Sequence, residues 1–186
     1  IIVTGWTGDY VFASYSLAKY MENKNVIVEL TSDKRGSIFL KDYKDWNLVK
    51  IPSSTLIKKK IVKIFCSYSI NFLSIIKSLL VLVFDRPSII LGMGGYSSFP
   101  ICFVAFILRI KFVIYENNLI IGKANKYLLP FAKKIFVSYK ELAGIPDKYR
   151  DKVVEVGNIV REEIINSNIL DDGLKKYDSL NILVLG

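Results

Sequence analysis

Short apolar runs alternate with helical stretches along most of the chain, and this alternation constrains the fold more than any other feature. The expected strands are IIVT (1–4), VIVEL (26–30), LVKI (48–51), SIILG (88–92), FVIYE (112–116) and IFVSY (135–139), the last of which leads to VVEVGN. Continuous apolar runs of this length are typical of strands buried on both faces of a parallel sheet. The sequence therefore predicts an α/β fold, a Rossmann-like parallel sheet with helices on both faces.

Helices are expected between these runs. They are predicted over about 11–23 and 123–133, in a weak form after residue 30, over a long region after residue 51, and from near Pro100. Sheets of this kind bind ligands beyond the carboxyl ends of their strands. The candidate binding loops are therefore those that follow the strands: GWTGDY (5–10), TSDKRG (31–36), GMGGYSS (92–98), ENN (116–118) and GNIVR (157–161).

The first loop is typical of a turn in which backbone amides approach an anion at a helix N-terminus. Gly5 and Gly8 allow that close approach, although a tight turn without a ligand explains them as well. Asp9 fits less well, because a carboxylate repels phosphate. It is expected to cap the helix. If an anion binds at this end of the sheet, Asp9 either points away from it, is offset by a lysine or arginine, or acts as a base.

A second glycine-rich loop follows the fourth expected strand, so two close backbone approaches would face one crevice. Gly92, Gly94 and Gly95 permit positive φ angles, and a kinked turn without a ligand is the alternative interpretation. Tyr96, the next residue, is suited to stacking on a sugar or hydrogen-bonding to it.

The fifth expected strand ends in one carboxylate and two amides, those of Glu116, Asn117 and Asn118. Together these groups offer hydrogen-bond donors and acceptors, which suits recognition of hydroxyl and acetamido groups. Capping of the following helix is the alternative role for Asn118.

Composition excludes several kinds of active site. The chain has no histidine, which excludes His-based metal sites, Ser-His-Asp triads and histidine bases. Cys66 and Cys102 lie in apolar surroundings without a metal-binding or redox motif, which favours buried thiols in a reducing cytosol. The net charge of +9 favours anionic partners, namely phosphate-bearing substrates, nucleic acid or an acidic membrane surface.

Two segments bear on membrane association. Residues 88–108 form an uncharged run long enough to span a bilayer, but GMGG, two serines and Pro100 break it into a strand, a turn and a helix. Residues 56–84 set lysines beside large apolar residues. That pattern is typical of a membrane-surface helix or of a core helix with a solvated lysine edge.

Taken together, the loops resemble those of the MurG family of N-acetylglucosaminyltransferases. The resemblance runs over residues 1–186 and rests on five segments in order: GWTGDYVF (5–12), TSDKRG (31–36), GMGGYSSFP (92–100), IYENNLIIGKANKYL (114–128) and VGNIVREEI (156–164). It implies the two-domain GT-B fold, of which this chain would be the N-terminal half.

The resemblance also implies a reaction and its partners. The reaction is inverting transfer of GlcNAc from UDP-GlcNAc to undecaprenyl-pyrophosphoryl-MurNAc-pentapeptide in peptidoglycan synthesis, without a metal or other cofactor. The implied location is the cytoplasmic face of the bacterial inner membrane, bound peripherally to its anionic surface, with no nucleic-acid partner. The donor contacts carried over are Thr7, Gly8, Asp9, Asn118 and Arg161, and the acceptor contacts are Gly94, Gly95, Tyr96 and Glu116.

Four positions depart from the family pattern. Trp6 and Asp9 stand for glycines, and Tyr10 and Tyr115 stand for histidines, the first of which is the family's candidate general base. Tyrosine, with a reference pKa of about 10, is a weak base at neutral pH. We therefore expect Asp9 and Tyr10 at the catalytic position, with Asp9 taking the proton from the acceptor hydroxyl. Impaired or altered catalysis is the alternative.

The expected organisation is an acceptor- and membrane-binding domain over 1–165, a linker over 166–179, and the first strand of a donor-binding domain over 180–186. Two other classes stay open. One is an extended short-chain dehydrogenase that binds NAD(P), which has a similar first turn, although Val11 stands where its third glycine would fall. The other is a non-catalytic homologue at the membrane surface.

Overall fold

The computed structural model describes residues 1–4, 8–33, 36–39, 48–52 and 61–160, with side chains omitted at 8–9, 39 and 61–70. Its strands are β1 Ile2–Thr4, β2 Glu29–Ser32, β3 Leu48–Lys50, β4 Ile90–Gly92, β5 Phe112–Glu116, β6 Ile135–Val137 and β7 Val153–Glu155. Its helices are α1 Gly8–Glu22, α2 Gly36–Phe39, α3 Ile61–Asp85, α4 Gly95–Ile107 and α5 Lys123–Leu128, with a 3₁₀ helix at Asp147–Lys152.

All strands pair in parallel, in the order β3-β2-β1-β4-β5-β6-β7. Helix α1 packs on one face of the sheet through Val11 and Ala18, whereas α3, α4 and α5 pack on the other. This arrangement confirms the predicted Rossmann-like sheet with helices on both faces. The direction of winding changes between β1 and β4, which creates a crevice at the carboxyl ends of these two strands.

Element boundaries differ from the prediction where proline and glycine intervene. Helix α4 begins at Gly95, five residues before the expected start, and includes Pro100. Pro100 is the sixth residue of α4, beyond the first turn, so the helix lacks the hydrogen bond that an N–H there would donate to the carbonyl oxygen of Tyr96. Helix α5 ends at Leu128 rather than near 133. Leu129 still has helical backbone angles, but Pro130 has no N–H and cannot donate the next hydrogen bond of the helix.

Helix α3 presents its large side chains outward. Ser74, Ser78 and Leu82 recur every four residues and are buried, so small groups form most of the inner face. The exposed face, here called the α3 stripe, consists of Phe72, Leu73, Ile76, Leu79, Leu80, Val83 and Phe84. Of the predicted lysine edge, Lys77 is exposed, while Lys58, Lys59 and Lys60 lie outside the described residues.

Residues 88–108 form β4, a turn and α4, as predicted from the glycines and Pro100. Among the helices that the structure describes, none combines the length and the apolar character needed to cross a bilayer.

Candidate functional site

A pocket of about 180 Å³ opens at the carboxyl ends of the central strands. It lies between the start of α1, the N-terminus of α4 and the loop that joins β5 to α5. Four predicted site residues converge on it, although they are up to 106 positions apart in the sequence. The residues that line the pocket are Tyr10, Gly95, Tyr96, Glu116, Gly122, Lys123, Ala124 and Asn125.

Glu116 is the buried centre of the pocket wall, with 1% of its surface exposed. Its Oε1 accepts hydrogen bonds from the backbone N–H of Asn118 at 3.2 Å and from Asn118 Nδ2 at 2.7 Å. Its Oε2 accepts from the backbone N–H of Gly122 at 2.8 Å and from Asn125 Nδ2 at 3.0 Å. Because both oxygens accept protein N–H groups, Glu116 fixes the shape of the 117–122 loop.

Asn118 contacts two residues of the pocket wall, Tyr10 and Glu116. Asn118 Nδ2 donates to Tyr10 Oη at 2.6 Å, and Tyr10 Oη in turn donates to Glu116 Oε1 at 3.5 Å. The Asn118 amide group thus donates both of its hydrogens, one to Tyr10 and one to Glu116. The atom that Asn118 keeps for a ligand is its carbonyl oxygen, Oδ1, which accepts hydrogen bonds.

The glycine turn before α4 needs glycine for two reasons. Gly94 and Gly95 have φ angles of 88° and 77°, which favour residues without a Cβ. A Cβ at Gly94 would also lie 3.3 Å from Asn125 Nδ2 and 3.5 Å from the Tyr10 ring. Gly94 is the N-cap of α4 and provides no side-chain cap, so the N-terminus of a 13-residue helix faces the pocket with its dipole.

Asn125 and Lys123 are functional candidates that the site prediction did not include. Asn125 is 1% exposed and donates to Tyr115 O and Glu116 Oε2, both at 3.0 Å. Within the described part of the chain, its Oδ1 has no hydrogen-bond partner. Lys123 brings a cation to the same pocket. The signal was present in the sequence, because both residues lie in the IYENNLIIGKANKYL segment.

The structure describes the other predicted site residues only in part. Gly8 and Asp9 form the first turn of α1, at the end that faces the carboxyl edge of the sheet. The side chain of Asp9 is not described, and Thr7 and Arg161 lie outside the described residues. In the described ranges, no cluster of three or more acidic or cysteine side chains could hold a metal ion.

Cys102 does not belong to the pocket. Its thiol is fully buried beneath Gly92, and this burial raises its pKa well above the ordinary range. The thiol therefore stays protonated and unreactive, as predicted for a structural cysteine. The side chain of Cys66 lies outside the described side chains.

The parallel sheet order, with a pocket at the carboxyl ends of its central strands, defines a domain of the Rossmann type. Residues 1–137 match the model of the glycosyltransferase family 28 N-terminal domain, and the chain belongs to that family. This membership leaves the dehydrogenase interpretation without support.

Curated relatives match this chain over most or all of its length. A UDP-N-acetylglucosamine–N-acetylmuramyl-(pentapeptide) pyrophosphoryl-undecaprenol N-acetylglucosamine transferase of Pelagibacter ubique is 31% identical over 186 residues, which is 100% of this chain and 51% of that protein. The transferase of the same name from Rickettsia felis is 34% identical over 166 residues, 89% of this chain and 45% of that protein. The chain thus spans about half the length of the curated relatives it matches.

Solved structures with the same fold include MurG of Acinetobacter baumannii, with a TM-score of 0.67 and 19% identity over 87% of this chain and 46% of that one. UDP-GlcNAc 2-epimerase of Neisseria meningitidis, solved with UDP-GlcNAc bound, has a TM-score of 0.59 and 17% identity over 84% of this chain and 46% of that one. At these identities the likeness concerns the fold.

Proposed function

We propose that the full-length protein is an inverting N-acetylglucosaminyltransferase that converts lipid I to lipid II. It would transfer GlcNAc from UDP-GlcNAc to the C4 hydroxyl of the lipid-linked muramyl pentapeptide. The observation that carries this proposal is the convergence of Tyr10, Gly95, Tyr96 and Glu116 on one pocket at the crevice. Support comes also from membership of family 28 and from relatives that are named for this transfer.

The pocket is suited to the acceptor side of the reaction. The diphosphate of the acceptor would lie at the N-terminus of α4, where the helix dipole and the backbone amides of the Gly94–Gly95 turn favour anions. Lys123 adds positive charge there, and Tyr96 offers a ring and a hydroxyl for the sugar. Glu116 would act on the acceptor through the loop that it holds.

The donor would bind at the other side of the crevice, towards the second half of the protein. Asn118 Oδ1 can accept a hydrogen bond from a sugar hydroxyl or a uracil N–H. Thr7, Gly8, Asp9 and Arg161 are the further donor contacts, with Arg161 bracing a phosphate or uracil oxygen.

The proton of the acceptor hydroxyl would go to Asp9. The Tyr10 hydroxyl accepts a hydrogen bond from Asn118 and donates one to Glu116, so it holds the loop, and a protonated phenol is a poor proton acceptor. As the acceptor oxygen forms its bond to C1 of GlcNAc, the bond from C1 to the UDP oxygen breaks and UDP leaves. Amide N–H groups would stabilise the charge on the diphosphate.

Asp9→Asn in the full-length protein tests this assignment. We expect kcat for GlcNAc transfer to fall by about 10²-fold or more, within the range of general-base contributions. Asp151→Asn is the matched control, because Asp151 is exposed in the 3₁₀ helix at the opposite edge of the sheet. Unchanged turnover in Asp9→Asn would remove Asp9 as the base. UDP-GlcNAc binding without transfer in the wild type would favour the non-catalytic homologue.

We propose further that the α3 stripe docks on the anionic cytoplasmic face of the inner membrane. Seven large apolar side chains on one helix face exceed what a soluble surface usually exposes. The exposed cations Arg86 and Arg109 follow α3 and α4 at the amino edge of the sheet, where they would meet lipid headgroups.

Sedimentation with phosphatidylglycerol vesicles tests this surface. Phe84→Ser combined with Leu80→Ser should weaken binding severalfold, because both side chains lie on the stripe and are at least half exposed. Ile27→Ser is the control, since Ile27 is 89% exposed but lies before β2, away from the stripe. Equal binding by all three proteins would refute the proposed surface.

A further inference from the structure

The hydroxyl of Tyr115 joins three parts of the chain beneath the site. The side chain is 2% exposed, and its Oη lies 2.7 Å from Ser138 Oγ, just after β6. The same oxygen lies 3.1 Å from the carbonyl oxygen of Gly157 and 3.4 Å from Asn117 Oδ1. The backbone N–H of Ile159 donates to it at 3.4 Å.

The number of available hydroxyl protons determines which atom donates in each of these hydrogen bonds. Ser138 Oγ donates to Asn117 Oδ1 at 2.7 Å, so the single proton of Tyr115 is available to Ser138 Oγ or to the Gly157 carbonyl. The Ile159 N–H occupies a lone pair of the same oxygen. The buried phenol thus accepts from a donor of the segment that follows β7, and when its proton points to Gly157 it also satisfies an acceptor of that segment.

That segment, residues 157–159, is where the described chain leaves the sheet. Its start is held by a backbone hydrogen bond from Val156 N to Val137 O at 2.9 Å. Ile159 packs against the core cluster that includes Tyr115. In the sequence, Arg161 and the predicted linker follow within a few residues. The exit direction of the chain therefore depends on the Tyr115 hydroxyl.

The network also reaches the site loop. Asn117 Oδ1 belongs to the loop whose next residue, Asn118, donates to Tyr10 of the pocket wall. We infer that Tyr115 is a positioning residue that fixes the exit segment 157–159 relative to the 117–122 loop. The inference rests on the proposed function, because transfer requires the second half of the protein to close on a donor that contacts this loop.

Tyr115→Phe in the full-length protein tests the role, since it removes one oxygen and keeps the ring in the core. We expect the Ile159 amide to exchange with solvent at least about tenfold faster, because its acceptor is lost. We expect kcat/KM for UDP-GlcNAc to fall about tenfold, with the acceptor KM within about twofold of wild type, since small misplacements of substrate-positioning groups cost this much. Ser138→Ala should show the same pattern more weakly.

Tyr149→Phe is the matched control, because Tyr149 packs on the other core cluster in the 3₁₀ helix at the amino edge of the sheet. Unchanged donor kinetics in Tyr115→Phe would overturn the inference. Equal changes in both KM values, accompanied by a lower Tm, would overturn it as well, since they indicate a general loss of folding. If the wild type transfers no GlcNAc, the proposed function fails, and an unchanged exchange rate at Ile159 then decides against the positioning role.

Discussion

Replacement of Glu116 by glutamine is the sharpest test of how the site is held together. The carboxylate accepts four N–H groups from the 117–125 region: the two of Asn118, that of Gly122 and that of Asn125. Glutamine keeps one acceptor oxygen and turns the other into a donor. Whichever oxygen is replaced, two N–H donors meet an NH₂ group instead of an acceptor.

The cost follows from these contacts. The cheaper arrangement turns the NH₂ towards Asn118, because that exposed side chain can rotate and offer Oδ1. The backbone N–H of Asn118 then stays unsatisfied, at about 1–2 kcal/mol, and the two remaining bonds each lose about 0.5–1 kcal/mol with the charge. We expect the free energy of unfolding to fall by about 3 kcal/mol, which lowers Tm by about 6–12 °C in a domain of this size.

Urea unfolding followed by circular dichroism, with calorimetry for Tm, measures this loss. Glu155→Gln is the matched control, because Glu155 ends β7 as Glu116 ends β5 but is exposed. Its effect should stay within about 0.5 kcal/mol, as for most surface substitutions. A loss below about 1 kcal/mol in Glu116→Gln would refute the view that this carboxylate organises the loop.

Three further predictions follow from single contacts. Gly94→Ala should lower the free energy of unfolding by about 1–3 kcal/mol, because alanine is strained at a φ of 88°. Its Cβ would also lie 3.3 Å from Asn125 Nδ2. Denaturant unfolding measures this loss. Burial and the nearby Asp85 raise the pKa of Glu29, so this group favours folding at acid pH and that contribution is lost as pH rises through the raised pKa. Glu29→Gln should therefore raise Tm at pH 7 and leave Tm unchanged at a pH below the ordinary carboxyl range. Equal Tm shifts at the two pH values would contradict a raised pKa in the folded state. Cys102 should resist iodoacetamide at pH 8 until the protein is denatured, as read by peptide mass spectrometry, because burial raises its pKa.

The sheet could be predicted from the sequence because each buried strand is a short apolar run between longer helical stretches. That signal is local, and it places the glycine loops at the carboxyl edge without any knowledge of contacts. The boundaries were less accurate, since the start of α4 depends on how the Gly94–Gly95 turn sits against Asn125 and Tyr10. Such packing has no local signature.

The location of the candidate site could likewise be predicted from the sequence, whereas its contacts could not. Its location at the ends of β1, β4 and β5 follows from topology, and Tyr10, Gly95, Tyr96 and Glu116 do line one pocket. Which groups those side chains bond could not be predicted. Glu116 was expected to contact the acceptor, and that role stays a prediction, while its two oxygens accept N–H groups of the following loop and of α5.

Tyr10 and Tyr115, which stand where the sequence resemblance implies histidines, act on the same short loop. Tyr10 Oη accepts from Asn118 Nδ2, and Tyr115 Oη lies within hydrogen-bonding distance of Asn117 Oδ1 and Ser138 Oγ. A phenol has one oxygen that donates and accepts, and it reaches further than an imidazole, so each replacement can still join this loop to a distant element. Tyr10 joins it to α1 and Tyr115 to the exit segment after β7. Both tyrosines therefore hold this loop at the crevice through their hydroxyls, so the structure of this wall of the pocket needs no histidine.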